Sequence, residues 1–573
     1  MKRQLFIILL FAGSMVQVFA QISNDKLRER MYVQTDKKVY LSGEQIRLNL
    51  MTVDMEHVPL VLSKVAYAEL VDDSIGHIQI IVELTKGIGE GMMQLPADLP
   101  SGIYRLISYT QFMRNEGAEI FFETTIGVIN PFQRDFIPQF VNPTADNAPL
   151  VATEKPSGSI SLQTNKTVYA TREQGELLIA GLPETIHTLS VSIAGKDLID
   201  LHVGGEAVTT NNQQVALANE LTENTAVSGK YLTEFEGHIL IGKVLDNQTG
   251  QTVSDPTLKT GLAFPGKMIR YFPGHTTETG EIRFYTAGTA GTKNIATIVY
   301  DSDEKYRVDV VSPFVSRFSP KTMPALSIDS SCYNQLIARS VAMQASHYFL
   351  DNPLEKRVMD ESILKIKPVN SYLLDEYTRF TTMREVFTEF ISNARFERQN
   401  GKWVLSVAIN TAVNTAFNSY YGSKSLVLFD GVHISDHEFI LNYDPLLIER
   451  INIYTKRYNF GGELFEGIVE LFSYPGRTQE ANFGKSIQVI PYEGPQAFEP
   501  LTVPDYSSME NRAGWMPDTR HTLLWKPNVR TEGQSTLHIP FDTSDLKGDY
   551  QVTVEGITID GTVVNTITAF SVD

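Results

Sequence analysis

The chain has 573 residues, with 49 Lys and Arg against 67 Asp and Glu, a formal net charge of −18 and a single cysteine. Such a balance opposes nucleic acid, whose binding runs on cationic side chains neutralising phosphates, and chiefly promotes solubility. One thiol excludes an internal disulfide, which fits a large bacterial periplasmic protein better than a small secreted animal domain.

Residues 1–20 read as a signal peptide. Lys2 and Arg3 form the charged start, Leu5 to Ala12 the apolar core, and Val18-Phe19-Ala20 the small-residue site before Gln21. That run is far shorter than the about 20 residues of a spanning helix, and no later segment comes closer, so the exported chain is expected to have no membrane span. The lone Cys332 is too distant to take a lipid at the new N-terminus. Cleavage removes Lys2 and Arg3, leaving 47 basic against 67 acidic residues, or −20, in a chain of 573 − 20 = 553 residues. At about 100–200 residues per domain this allows roughly three to six domains.

The first element after the signal is half of a repeat. Gln34-Thr35-Asp36-Lys37-Lys38-Val39-Tyr40 returns, 129 residues later, as Gln163-Thr164-Asn165-Lys166-Thr167-Val168-Tyr169, and each copy is followed by Glu-Gln, at Glu44-Gln45 and Glu173-Gln174. The offset is the size of a domain, beyond any solenoid period. Both copies predict strand, polar turn, strand. Ile46, Leu48 and Leu50 then alternate as in a half-buried strand. Ile103 to Tyr109 and Phe121 to Val128 continue the pattern between Pro/Gly and Asn/Gly turns, as in β-sandwiches. Their aromatic residues are expected to be core. Residues 131–157, with five prolines and little periodicity, predict a linker.

Tyr32 to Tyr40 with Ser42-Gly43-Glu44 resembles the opening of a macroglobulin-type domain, and Leu99-Pro100-Ser101-Gly102-Ile103-Tyr104-Arg105-Leu106 is similar to a later passage of that domain. Arg520 to Pro527 with Gly548-Asp549-Tyr550-Gln551-Val552 resembles a central macroglobulin segment. Gly242-Lys243-Val244 through Val253, with Thr279 to Phe284, resembles a carboxypeptidase-regulatory-like sandwich, which is non-catalytic.

Near residue 330 the pattern changes. Asn334 to Tyr348 predicts a helix. Thr382-Met383-Arg384-Glu385 is a capping box, and Met383, Val386, Phe387, Phe390 and Ile391 then lie on one helical face. Leu426 to Phe429 reads as a buried strand ending in the Asp430-Gly431 turn. Asp444-Pro445, Ile448-Glu449-Arg450-Ile451 and the glycines Gly461, Gly462 and Gly467 follow. This order resembles the plug domain of TonB-dependent outer-membrane transporters. Only 573 − 477 = 96 residues follow Arg477, too few for a barrel of roughly twenty strands, so the plug-like unit is expected to stand free. Together the units resemble Bacteroidota envelope proteins near TonB-linked uptake systems.

Several groups invite a chemical reading. Ser42-Gly43-Glu44-Gln45 resembles the macroglobulin thioester motif, but Ser stands where the sulfur is needed, which leaves a turn. Cys332 has His347 fifteen residues away, roughly 22 Å along a helix, too far to make a thiolate. His433 and His437 have the i, i+4 spacing of a zinc pair, yet they follow directly on a strand and its turn. Asp301, Asp303 and Glu304 lack the glycine and final glutamate of a calcium loop. Paired carboxylates of a glycosidase would be silent in sequence.

The expected fold is mainly β, with tandem immunoglobulin-like or macroglobulin-like sandwiches plus an α+β plug-like domain. The expected units are the signal peptide at 1–20, a macroglobulin-like sandwich at 21–130, the linker at 131–157 and a second such sandwich at 158–235. A regulatory-like sandwich at 236–315, a linker with helices at 316–379, the plug-like domain at 380–477 and a C-terminal sandwich-like segment at 478–573 complete the order. No catalytic, cofactor-binding or metal-ligating residue is assigned, and no cofactor is expected. The expected function is a non-enzymatic periplasmic binding or scaffold protein at the inner face of the outer membrane, partnered by an envelope or outer-membrane protein. A macroglobulin-type protease inhibitor without thioester and a hydrolase with an interdomain site are the alternatives.

Overall fold

The computed structural model describes residues 28–55, 58–133, 139–141, 160–183, 186–196, 202–203, 206–207, 230–266, 270–300, 305–323, 326–329, 333–349, 366–410, 419–421, 424–460, 463–474, 483, 487–496, 501, 503–508, 512–558 and 563–573. The signal peptide, Cys332, and Asp301, Asp303 and Glu304 lie outside the described residues. The chain is mainly β and forms two compact units. One is built from described residues within Met1–Glu236, Phe314–Lys356 and Pro495–Asp573, the other from those within Gly237–Pro313 and Arg357–Gly494. Among the described residues no helix is long and apolar enough to cross a membrane.

The first unit begins with a sandwich of eight strands, β1 (Arg30–Thr35), β2 (Val39–Leu41), β3 (Gln45–Val53), β4 (Val65–Val71), β5 (Gly76–Glu83), β6 (Ile88–Gln94), β7 (Gly102–Tyr109) and β8 (Phe122–Ile129). One sheet runs β1-β3-β6 and the other β2-β8-β7-β4-β5. Ile46, Leu48 and Leu50 fill the space between them with Tyr67, Leu106 and Tyr109, the inward half of a period-two strand. The alternate positions of β3 are not left to solvent, for Asn49 and Met51 are 2 % exposed. Gly89 and Gly91 sit where β6 passes β5; a Cβ on Gly89 would lie 2.6 Å from the Glu83 carbonyl oxygen.

The second copy of the repeat opens β9 (Ser161–Thr164), β10 (Val168–Tyr169), β11 (Gln174–Ala180) and β12 (Ile186–Gly195). Within the expected linker, Gln139–Val141 pairs in parallel with Ser327–Asp329.

In the other unit, β13 (Ile239–Asp246), β14 (Thr260–Ala263), β15 (Tyr271–Thr276), β16 (Glu281–Tyr285), β17 (Thr292–Val299) and β18 (Tyr306–Val311) wrap a core of Leu240, Val244, Phe272, Ile282 and Phe284. Back in the first unit, helix α1 (Tyr333–Phe349) lays Met343 and Leu336 against Val39, Leu41, Ile103 and Ile129.

The α+β domain of the second unit follows, with β19 (Asn370–Leu373), α2 (Met383–Glu389), β20 (Ala394–Gln399), β21 (Lys402–Asn410), β22 (Ser419–Tyr421), β23 (Leu426–Phe429), β24 (Val432–His433), α3 (Glu438–Leu441), β25 (Ile448–Phe460) and β26 (Glu463–Ser473). The capping box forms at α2, with Thr382 Oγ1 accepting from the Glu385 N–H at 3.3 Å and Glu385 Oε2 from the Thr382 N–H at 3.1 Å. Asp430 (φ 48°) and Gly431 (φ 81°) make the turn between β23 and β24, both left-handed as such tight hairpins require. The Asp430 carboxylate also accepts from the Ser473 N–H and hydroxyl at 2.7 and 2.6 Å, tying the turn to β26. The sheet order is β19-β25-β26-β23-β24. The next strand, β27 (Ile487–Glu493), returns to the preceding sandwich and pairs with β17.

The last four strands are β28 (Thr522–Arg530), β29 (Thr536–Asp542), β30 (Gly548–Thr558) and β31 (Val563–Val572). They complete the sandwich begun by β9–β12, in sheets β9-β11-β29 and β10-β31-β30-β12-β28. Strands β9–β12 and β28–β31, expected in separate units at 158–235 and 478–573, thus share one core of Tyr169, Leu177, Val191, Phe541, Val552 and Phe570. Each of the two sheets takes strands from both halves, so the two-layer core closes only when they meet. Ile557 of this sandwich joins the core cluster that holds Tyr32 and Met51, which explains the burial on the outer face of β3.

A chain ending at Gln496 lacks β28–β31. Limited proteolysis of it is expected to cut between residues 158 and 196 while β13–β18 stay protected; equal protection of both segments contradicts this topology.

Candidate functional site

The repeat builds the same hydrogen-bonded turn twice. In the first copy the Tyr40 hydroxyl donates to Asp36 Oδ1 at 2.7 Å, Asp36 Oδ1 also accepts from the Arg47 N–H at 3.0 Å, and Thr35 Oγ1 donates to the Lys37 carbonyl at 2.7 Å. In the second copy the Tyr169 hydroxyl donates to Asn165 Oδ1 at 2.6 Å, that oxygen accepts from the Glu176 N–H at 2.9 Å, and Thr164 Oγ1 donates to the Lys166 carbonyl at 2.8 Å. The glutamate closes each turn, Glu44 accepting from the Leu41 N–H at 3.2 Å and Glu173 from the Ala170 N–H at 2.7 Å. The shared motif therefore encodes a side-chain scaffold for a strand crossing from one sheet to the other. Ser42, where a thioester would need sulfur, donates its hydroxyl to the Leu99 carbonyl at 2.7 Å.

The two copies differ in what they capture. Asp36 Oδ2 accepts from the Thr522 hydroxyl at 3.0 Å, and the Asp36 carbonyl from the Ser192 hydroxyl at 2.7 Å, so the first turn is bonded to the second sandwich. Arg339 of α1 grips Glu44 with Nε at 2.8 Å and Nη2 at 2.7 Å, while Lys37 Nζ stands at 3.1 Å. Arg339 is 4 % and Glu44 9 % exposed. Burial alone would raise the Glu44 carboxyl, but the charges of Arg339 and Lys37 outweigh it and hold it well below the usual range. Burial first, then the charges of Arg339 and Lys37, push the adjacent His521 far down, so it is neutral.

Because the Glu44 pKa is depressed on folding, its contribution is present above the ordinary glutamate range and lost as pH falls below it. Arg339→Met leaves a buried carboxylate short of a partner and is expected to cost about 3–5 kcal/mol, read as a drop in denaturation midpoint at pH 7 that narrows below pH 4. A midpoint within experimental error of wild type rejects this role.

The sequence offers no sign that Glu90 is unusual. It lies on β6 opposite Asn49, which is opposite Gln34 on β1. Burial raises its carboxyl to about 7. Among the described residues Glu90 Oε2 and Asn49 Oδ1 find no hydrogen-bond partner.

His433 and His437 do not share a helical face. His433 ends β24 and its ring meets Tyr300 and Tyr271 at 4.7 and 5.8 Å. His437 precedes α3 and its Nδ1 accepts the Leu405 N–H at 2.9 Å. Burial pushes His437 down to about 4. A lowered histidine favours the fold fully above pH 6.5, and this advantage fades as pH falls toward 4, by on the order of 3 kcal/mol. His437→Asn keeps an acceptor for Leu405 and should flatten the pH dependence of unfolding between 6.5 and 4; an unchanged slope refutes the assignment. Among the described residues no cluster of three or more His, Cys, Asp or Glu is placed to hold a metal ion.

At the second turn, Arg172 occupies the position of Gly43. Both are left-handed, Gly43 at φ 96° and Arg172 at φ 55°, a conformation that strains a non-glycine residue. The Arg172 guanidinium pairs with both Asp545 oxygens at 2.7 and 2.6 Å. It also donates to the carbonyls of Arg512, Gly514 and Met516 at 3.1, 2.5 and 2.8 Å. Asp518, its N–H on Asp545 and its carboxylate on Tyr506 and Arg520, pins the loop's far end. At the tip of this braced loop Trp515 is 83 % exposed and Met516 49 %.

No protein-family model matches the chain, and no curated protein matches it. Among solved structures it is similar to Escherichia coli α2-macroglobulin activated by porcine elastase, at 9 % identity and a TM-score of 0.24 over 95 % of this chain and 44 % of that one. Salmonella α2-macroglobulin reacted with methylamine matches at 10 % identity and a TM-score of 0.23, over 95 % and 39 %. An Escherichia coli adhesin matches at 10 % and 0.14, over 53 % and 66 %. The chain thus spans less than half of the length of these macroglobulins, and scores of this size assign no family.

Proposed function

We propose that the chain is an exported, non-enzymatic binding or scaffold protein of the bacterial envelope, of macroglobulin-like build, working beside outer-membrane transport or assembly machinery. The observation that carries this reading is the use made of the repeated motif. Its carboxylates, hydroxyls and lysines are spent on bracing two turns, and in the first copy on docking α1. A frame braced in this way suits a protein that holds surfaces in fixed positions.

Support for export comes from the N-terminal signal pattern at residues 1–20. Support for a place near TonB-linked systems comes from the plug-like order of capping box, Asp430-Gly431 turn and Ile448-Glu449-Arg450-Ile451 strand. The contact mode is strand addition, in which main-chain bonds supply affinity. Strand β29 ends its sheet, and among the described residues no strand pairs with its outer edge.

Crosslinking in intact envelopes, followed by purification of the full chain, is expected to yield an outer-membrane protein with crosslinks mapping to residues 536–542. Recovery of no envelope protein above an unrelated exported control, or turnover on peptide and glycan panels, overturns the reading.

A further inference from the structure

The braced loop around Trp515 has a composition and a backbone arrangement that the scaffold reading does not account for. Residues 513–517, Ala-Gly-Trp-Met-Pro, carry no charge, and all five are exposed. Burying a tryptophan removes a large apolar area from water, so a loop that holds one outward forgoes stabilisation the fold could have had. The loop is also not slack. Two of its carbonyls, those of Gly514 and Met516, and that of the preceding Arg512 are drawn inward onto the single guanidinium of Arg172.

That inward turning of the carbonyls decides what the tip fits. A sugar or a polar peptide surface needs donors and acceptors beside the ring, and the carbonyls flanking Trp515 on both sides, at residues 512, 514 and 516, are already committed to Arg172, which leaves few for such a ligand. Hydrocarbon has the opposite requirement, because a backbone group entering it must already be satisfied. Tryptophan, with an apolar ring and one N–H, is the residue favoured at the boundary between water and lipid. Net charge of −18 gives no general attraction to an anionic surface, so contact must come from the apolar tip.

We propose that the Trp515–Met516 tip is a reversible anchor for a neutral lipid surface, inserting the indole at the headgroup boundary while Arg172 keeps the carbonyls of residues 512, 514 and 516 satisfied. A single small anchor binds weakly, which suits a protein that is held to its site by a partner as well. The anchor goes beyond the scaffold reading and is tested without it.

The full chain is mixed with phosphatidylcholine vesicles, and binding is followed by flotation and by quenching of tryptophan emission with chain-brominated lipid. The expected result is a blue shift and quenching that vanish in Trp515→Ser, since Trp525 is buried at 7 % exposure and Trp403 is partly covered. The bound fraction should fall about tenfold in Trp515→Ser and several-fold in Met516→Ser, with far-UV circular dichroism unchanged. Arg172→Gln, which frees the three carbonyls, should weaken binding although Trp515 remains. Absence of quenching at millimolar lipid overturns the proposal, as does binding that requires anionic lipid. Shielding of Trp515 by an envelope protein but not by vesicles assigns the tip to a protein pocket and equally overturns it. Loss of the lipid anchor leaves the crosslinked partner of the scaffold reading unaffected, so the two fail separately.

Discussion

The Glu44 carboxylate, caught between Lys37 and Arg339, is the contact on which the first unit depends. Three pieces of chain distant in sequence meet there: the first repeat, helix α1, and, through Asp36 and Thr522, the returning strand β28. Two cations and a buried carboxylate are costly to remove from water, and the attraction offsets that cost only when the geometry is good and further hydrogen bonds are made. Here Arg339 bonds both carboxylate oxygens and also the Val39 carbonyl at 3.0 Å, and Glu44 takes the Leu41 N–H as well. The result is a fixed register for α1 on the sandwich, in place of sliding apolar contact through Met343 and Leu336 alone.

The second copy shows the same turn put to a different use. Among the described residues its glutamate, Glu173, makes its ion pair with the half-exposed Lys166, a contact of small energetic weight. The arginine one position earlier carries the work instead, reaching outward to Asp545 and to the loop that presents Trp515. One motif thus supports two designs, an inward lock at residue 44 and an outward brace at residue 172. The chemical difference is a glycine exchanged for an arginine at a position that demands a left-handed backbone.

Much of this was legible in the sequence. The repeat, the alternation of Ile46, Leu48 and Leu50, the capping box at Thr382 and the Asp430-Gly431 turn are local signals, and each corresponds to a local element of the structure. What was not legible is long-range. Strands β28–β31 resemble part of a sandwich in sequence, but nothing in their pattern states that β11 and β12, more than 300 residues earlier, are their partners. Arg172 reads as one more surface arginine until the carbonyls of residues 512–516 are seen around it. The i, i+4 spacing of His433 and His437 was informative only together with the backbone, which ends a strand at the first and starts a helix after the second. The raised carboxyl of Glu90 has no sequence signature, because it follows from burial that the folded sheet imposes.

A double-mutant cycle between Glu44 and Arg339 tests the central interaction most directly, using Glu44→Gln, Arg339→Met and the pair, with stability read from denaturant unfolding at pH 7. The account predicts that the double variant is more stable than the sum of the single losses by about 2 kcal/mol or more, because each single change strands a buried charge that the pair removes. Additive losses, agreeing within about 0.5 kcal/mol, would contradict it and leave α1 held by its apolar contacts alone.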